Sequence, residues 1–316
     1  MPQKTSIWHG MCHLKGDARE TMSHFIATTF RDLAIKGIFS DDDLLEILTL
    51  KGGNALALLE ITDRASQDLD FSISQGVKLT KEEHEPKFRK ALSRVFSESG
   101  YQIIDFKFDI KPKKSRVPLP PYWGGYSIEF KVMTEEMFEA TKHLSEQKRS
   151  SMALEIVGGK KKLEIDISLE EYTEPRMVMA LDEYQIHIYS PLMIVYEKMR
   201  ALCQQLPQYP LASTNKVRAR DLYDIYTAIQ KSESLSLREQ IIDPENIHIV
   251  QEIFKAKEVS FELIPQIITR KEEMRQNFEE GVRIQITDQK SVPDFDFLFD
   301  FNFELMMEVY GLLPDE

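Results

Sequence analysis

The chain has 316 residues, 42% hydrophobic and 29% charged, with a net charge of −12. That is globular composition, long enough to bury a sizeable core, and not that of a disordered segment. No run of eighteen apolar residues occurs and the N-terminus lacks an apolar signal core. The two cysteines, Cys12 and Cys203, rule out a disulfide scaffold and a multi-cysteine zinc site. The expectation is a soluble cytoplasmic protein of a reducing compartment, with no membrane contact. The acidic balance argues against a dedicated duplex-DNA reader. The basic clusters (Lys111, Lys113, Lys114 and Arg116; Lys160 to Lys162; Lys216, Arg218 and Arg220) read first as solvated surface.

In chain order, Met22, Phe25, Ile26, Phe30 and Leu33 recur at helical spacing and predict a helix from Asp17 to Ile35. A second helix is expected from Asp41 to about Leu48 with Ser40 as its cap. Lys51, Gly52 and Gly53 interrupt the pattern, and Asn54 to Glu60 reads as a short helix. Asp68 to Ile73 alternates, with Leu69, Phe71 and Ile73 on one face and Asp68, Asp70 and Ser72 on the other. A helix from Thr80 to Ser99 and a strand from Tyr101 to Ile110 follow. Lys111 to Gly125, with Pro112, Pro118, Pro120 and Pro121, is a loop.

Tyr126 to Val132 alternates again, and a helix is expected near Glu135 to Ser145. Ala153 to Val157, Gly158-Gly159 and Lys160 to Ser168 read as a β-hairpin, whose second strand sets Leu163, Ile165 and Ile167 against Glu164, Asp166 and Ser168. A strand-like Tyr184 to Ile188 precedes a helix opened by Ser190-Pro191 and carrying Leu192, Val195, Met199 and Leu202. Further helices are expected around Leu222 to Ile229, Asp243 to Ala256 and Phe261 to Glu280. Phe295, Phe297, Phe299, Phe301 and Phe303 alternate with polar residues, which suits an extended segment laid on the core. The predicted organisation is α+β: residues 1–175 as an α/β domain with N-terminal helices, then residues 176–316 as a mainly helical domain.

Two strands each put a pair of acids two residues apart on the face away from the core. Converging carboxylates repel unless protons or cations neutralise them, and Mg²⁺ or Mn²⁺ bound by Asp oxygens is the usual answer. Such a centre activates an attacking oxygen and stabilises a leaving phosphate. Either strand alone has the plainer reading of a polar outer face. Gly52-Gly53, placed ahead of a helix, would let backbone N–H groups approach a polyphosphate. There is no GxxxxGK[ST], GxSxG or HExxH, so P-loop, hydrolase-elbow and zincin chemistry have no anchor. His9, Cys12 and His13 have metal-ligating side chains but lack a fourth ligand.

Lys51-Gly-Gly-Asn-Ala-Leu56 followed by Arg64-Ala-Ser-Gln-Asp-Leu-Asp70 resembles the signature of the AbiEii/AbiGii-type nucleotidyltransferase toxins, members of the polymerase-β-like nucleotidyltransferase superfamily. Asp166 in the later strand, Glu197-Lys-Met-Arg-Ala-Leu202 and Arg220-Asp-Leu-Tyr-Asp224 match further motifs in order, so the resemblance covers about Leu50 to Tyr226. Asn54 stands where the family often has Ser or Thr. The resemblance implies a mixed sheet flanked by helices and a helical C-terminal region. By it Asp68, Asp70 and Asp166 would hold Mg²⁺ or Mn²⁺, with Asp166 also orienting or deprotonating the acceptor hydroxyl. Lys51, Gly52, Gly53, Asn54, Arg64 and Ser66 would serve the NTP, and Lys198 would reach its triphosphate. Asp221 would be a base near the acceptor or a structural cap. For Lys198 the plainer alternative is a snorkelling flank residue, and for Arg220 and Asp224 an i,i+4 surface pair. The implied activity is transfer of NMP from an NTP to tRNA or a protein, as the toxin of a toxin–antitoxin or abortive-infection system with a cognate antitoxin. The alternatives are a small-molecule nucleotidyltransferase and a non-catalytic binding protein on the same fold; the intact Asp68, Asp70 and Asp166 argue against the last.

Overall fold

The computed structural model describes residues 16–62, 68–113, 118–156, 159–211, 217–232, 236–286 and 292–314, with side chains from residue 25 onward. Helix α1 (Gly16–Phe39) and α2 (Asp42–Ile47) lead into strand β1 (Leu48–Lys51), helix α3 (Gly52–Leu58) and β2 (Leu69–Ser74). Then come α4 (Lys81–Glu98), β3 (Tyr101–Lys111), β4 (Gly125–Thr134), α5 (Glu135–Ala140), α6 (Glu146–Ser151) and β5 (Lys162–Glu171). The hairpin β6 (Met177–Leu181) and β7 (Tyr184–Ile188) precedes α7 (Pro191–Cys203), α8 (Ala219–Lys231), α9 (Leu237–Ile241), α10 (Ile247–Lys255), α11 (Lys271–Asn277) and α12 (Phe295–Tyr310). Among the described residues the strands form one mixed sheet in the order β3-β4-β5-β2-β1-β7-β6, as expected for the fold class.

The chain divides into two compact units. One comprises residues 1–44, 80–109 and 127–165. In it Gly37 lets α1 cross close over α4, where a Cβ would meet the Leu92 Cα at 3.1 Å. The buried Phe30 ring packs edge-to-face on Tyr101 and tilted on Phe96, with centroids at 5.0 and 6.0 Å.

The other unit comprises residues 45–79, 110–126 and 166–316. Here β1 pairs antiparallel with β2, Lys51 opposite Asp70, and parallel with β7, Leu50 opposite Ile188. Leu69, Phe71 and Ile73 are buried as the alternation predicts. Ser190 caps α7, accepting from the Met193 N–H at 3.3 Å, with Pro191 in the first turn. Apart from Glu197, every residue of α7 is buried.

Several expectations are corrected. Leu48–Lys51 is a strand: its four residues are all buried and so show no alternation. Consequently Gly52 opens α3 and does not stand ahead of it. Asp41, not Ser40, caps α2, accepting from Leu44 N–H at 3.2 Å, while the Ser40 hydroxyl donates to Gly37 O. The first arm of the expected hairpin, as far as Ile156, is not a strand. Neighbouring strands β4 and β2 take both edges of β5, and between the two expected arms Ile156 N–H donates to Lys160 O. Val157 and Gly158 lie outside the described residues.

The phenylalanine-rich segment is a helix, α12, capped by Asp294. Phe295, Leu298, Phe299, Asn302, Leu305, Met306 and Val309 are buried, at spacings of three and four. The alternating phenylalanines misled because rings four apart stack along a helix, as do Phe299 and Phe303 at 5.9 Å. The two conformations make different predictions for single substitutions. Phe299 is fully buried and Phe297 is 54% exposed, so Phe299→Ala should cost about 3–5 kcal/mol and Phe297→Ala much less. An extended segment with all five rings on one face would lose similar amounts at both. Urea denaturation of the two variants distinguishes them.

Candidate active site

The register of β1 on β2 sets Gly52 directly beside Asp70. Gly52 has φ +71° and a Cβ built there would stand 2.6 Å from Asp70 Oδ2. Only glycine both tolerates that backbone and leaves room for the carboxylate. The Asn54 amide donates to the backbone oxygen of Asp68 at 2.6 Å and so pins the entry to β2; its Oδ1 is buried with no partner among the described residues. Arg64 and Ser66 lie outside the described residues, as do Lys114, Arg116, Lys216, His9, Cys12 and His13.

Asp68 is exposed and Asp70 partly buried. Burial pushes the Asp70 carboxyl up to about 6; Lys51 opposes this, while Glu197, Asp166 and Asp68 add to it. Asp166, on the neighbouring strand β5, is paired with Lys111 at 2.5 Å. Asp68, Asp70 and Asp166 offer carboxylate oxygens, the donor type that a hard divalent cation takes. Among the described residues no three acidic, His or Cys side chains are already gathered as a metal cage, and the Asp166 carboxylate is turned to an ammonium. The fit to Mg²⁺ or Mn²⁺ thus lies in the oxygen chemistry of the donors and not in a gathered cage.

Beneath these acids lies a buried ionic network. Lys51, 6% exposed, pairs with Glu171 at 3.0 Å and Glu197 at 3.5 Å. Burial alone would lower its pKa, but those two carboxylates hold it well above the lysine range. Glu171 also meets Lys257 at 3.3 Å and Arg200 at 3.9 Å. Burial would raise the Glu171 pKa, yet Lys51, Lys257 and Arg200 hold it far below the carboxylate range. Lys257 donates to the backbone oxygens of Tyr122 and Leu169, and burial brings its pKa down to about 8 against the pull of Glu171.

Lys198 does not snorkel. It is 6% exposed, and its ammonium donates to Asp221 at 2.8 Å and Asp224 at 2.7 Å. Asp224 is fully buried, so it is not half of a surface pair with Arg220, which is exposed. Asp221 is fully buried too and also accepts from Arg218 Nε at 2.6 Å. Its carboxyl would be raised by burial but is held far below the carboxylate range by Arg218 and Lys198. Of the lysines near the expected hairpin, Lys161 donates to Ser151 O and Lys162 pairs with Glu129 at 2.7 Å.

The structure thus brings together Lys51, Gly52, Gly53, Asn54, Asp68 and Asp70, with Asp166 on the next strand, and joins Lys198 to Asp221. Five charged residues escaped sequence reasoning: Glu171, Glu197, Arg200, Arg218 as an individual, and Lys257. Glu197 adjoins Lys198 inside a quoted motif and was within reach. Glu171 and Lys257 carry no local signal, since nothing in the chain marks a charge that will be buried.

A family model described as "Nucleotidyl transferase AbiEii toxin, Type IV TA system" matches residues 34–301. The chain belongs to this AbiEii family. It is accordingly a nucleotidyltransferase of the type IV toxin–antitoxin class, and the match reaches well beyond Leu50 to Tyr226 at both ends. No curated protein matches the chain. Among solved structures, JHP933 from Helicobacter pylori is 15% identical, with 91% of this chain and 92% of that one covered at a TM-score of 0.46. A second H. pylori structure titled a nucleotidyltransferase is 14% identical, covering 91% and 95% at 0.48. An antigenic nucleotidyltransferase-like protein from Paracoccidioides brasiliensis is 12% identical, covering 72% and 94% at 0.34. These are distant likenesses. No described helix of this AbiEii-family chain is long and apolar enough to cross a membrane.

Two outcomes follow from the geometry. Gly52→Ala should cost about 1–2 kcal/mol of stability from its backbone conformation and displace Asp70, so that turnover falls far more than the urea midpoint. The second concerns pH. With its pKa at about 6 in the fold and roughly 4 when unfolded, Asp70 binds a proton more tightly in the native state. Stability of the metal-free protein is therefore lost as pH rises from roughly 4 to 6. Asp70→Asn removes the penalty: it should match wild type at pH 4 and exceed it at pH 7.5 in denaturant titrations without divalent ions.

Proposed function

We propose that this AbiEii-family chain transfers a nucleoside monophosphate from an NTP to a hydroxyl of tRNA or of a protein, in a metal-dependent reaction in the cytoplasm, and that a cognate antitoxin restrains it. The observation that carries the reading is the Gly52 and Asp70 pair, a positive-φ glycine opening a helix against a carboxylate whose proton affinity is raised by burial and, to a lesser extent, by other acids. Residues through 175 supply the glycine turn and the acids, and residues from 176 supply the helices bearing Lys198 and Asp221.

Asp68, Asp70 and Asp166 would hold Mg²⁺ or Mn²⁺, which supplies charge neutralisation at the transferring phosphate. The first turn of α3, with Gly52 and Gly53, offers backbone N–H groups to the phosphates. Asn54 holds Asp68 in register. Lys51 and Lys198 act from below, through their buried carboxylate partners. Asp166 would orient or deprotonate the acceptor hydroxyl once its pairing with Lys111 is broken. Most of the catalytic effect in such transfers is positioning and electrostatics.

The test is to incubate the protein with each α-phosphate-labelled NTP, Mg²⁺, and either total tRNA or a protein extract. Label should pass to one acceptor class and disappear with Asp68→Ala, with Asp70→Ala and with chelator. Undiminished labelling by the double aspartate variant refutes the assignment.

A further inference from the structure

Asp70 falls between buried Leu69 and Phe71, and Asp166 between buried Ile165 and Ile167. On neighbouring strands, both carboxylates therefore lie on the face away from the core. Of the three aspartates, Asp166 alone has a lysine or arginine within ion-pair distance among the described residues. Its Oδ1 accepts from the Lys111 ammonium at 2.5 Å. Both side chains stay open to solvent, Lys111 45% exposed and Asp166 37%. One carboxylate of the donor set is thus already covered by a cation of the chain's own.

The backbone beneath this pair is fixed from several sides. Lys111 ends β3, and Gly124 presses on it: φ there is +133°, and a Cβ would stand 2.7 Å from Lys111 O. Gly125 passes so close to β5 that a Cβ would collide with Ile167 O. Leu169 N–H donates to Gly124 O at 3.4 Å, and Lys257 holds the oxygens of both Tyr122 and Leu169. Lys111 leaves Asp166 by swinging its own flexible four-carbon stem, with the packed backbone in place. That motion breaks one exposed ion pair, so it costs little and reverses readily.

We propose that Lys111 is a built-in counter-ion for Asp166 that a divalent cation must displace, and that it thereby sets how tightly the nucleotide-free chain takes up metal. This deepens the transfer reading above and rests on its assignment of Asp166 to the metal. An ammonium and a divalent cation repel each other across one carboxylate, so the two occupancies compete. The apparent metal affinity falls by the fraction of chains in which the carboxylate is free. With the pair formed in about four chains of five, the loss is about fivefold, within the range of an exposed pair.

The experiment follows Mn²⁺ binding to the full chain without nucleotide, read from the loss of the free-ion electron paramagnetic resonance signal. Lys111→Gln should tighten binding about fivefold. Lys162→Gln removes an equal charge, from an exposed lysine at the start of β5 that pairs with Glu129 at 2.7 Å. It should change the affinity by less than about 1.5-fold, since exposed charges are screened. In an Asp166→Asn background the Lys111 substitution should have no effect, because the shared partner is gone. With the lysines ¹³C-methylated, the Lys111 resonance is identified by its absence in Lys111→Gln. It should move when Mg²⁺ is added, and in Asp166→Asn it should stand displaced from the start. If Asp166→Asn does not fold, the two lysine variants and the resonance still decide. Equal tightening by Lys111→Gln and Lys162→Gln would reveal only the field of a missing charge and overturns the proposal. Mn²⁺ affinity that ignores Lys111→Gln but weakens in Asp166→Asn overturns it too, and leaves the metal reading standing. Should neither Asp70→Asn nor Asp166→Asn weaken Mn²⁺ binding, the metal reading falls and this inference falls with it.

Discussion

A helix that is buried on all sides and yet carries cations fixes much of what surrounds it. Every residue of α7 but Glu197 is buried, and Lys198 and Arg200 lie within that buried set. Leaving either unpaired would cost several kcal/mol, about 3–5 where a partner is removed from a buried pair. Each therefore dictates where an acid must come from. Lys198 draws Asp221 and Asp224 from α8, one turn apart so that both carboxylates face it. Arg200 draws Glu197 from its own helix and Glu171 from the end of β5. The mutual placement of α7, α8 and the last residue of β5 follows from neutralising two charges.

The same constraint reaches the turn at Gly52. Lys51 closes β1 and is held by Glu171 and Glu197, so the residue before Gly52 is anchored from beneath. Gly52, unstrained at φ +71° as only glycine would be, then sits against the Asp70 carboxylate. Two layers result. The lower one, Lys51, Arg200 and Lys257 against Glu171 and Glu197, has one cation in excess, and the buried Lys257 is brought down to about 8. The upper one, Asp68, Asp70 and Asp166, is open, acid-rich and short of positive charge. Of the lower cations Lys51 softens but does not remove the effect of burial and of the neighbouring acids on Asp70.

Lys257 also ties the proline-rich loop to this base. Its ammonium holds Tyr122 O, and the Tyr122 hydroxyl donates to Glu258 at 3.0 Å. At its other end the loop starts from Lys111, which is bound to Asp166. Lys111 and Tyr122 are thus each held by side chains from the unit that bears the acids.

The sequence by itself determined what depends on neighbours along the chain. The alternation of Leu69, Phe71 and Ile73, the Ser190-Pro191 cap, and the spacing of Gly52, Asp68, Asp70 and Asp166 are local patterns. They were enough for the fold class and for the family, because a motif records residue types at fixed separations. Local pattern failed wherever burial on both faces erased it, as in β1, or where two periods coincided, as in the phenylalanines of α12. Which charges are buried was decided only by the tertiary structure. Lys198 looks in sequence like a residue that could reach a phosphate, and in the fold it is sealed between Asp221 and Asp224. Glu171 looks like any acid at a strand end, yet it joins Lys51, Arg200 and Lys257 from separate stretches of chain. The worth of a charge depends on the dielectric and the partners around it, and those are supplied by residues tens to more than a hundred positions away, which no local reading contains.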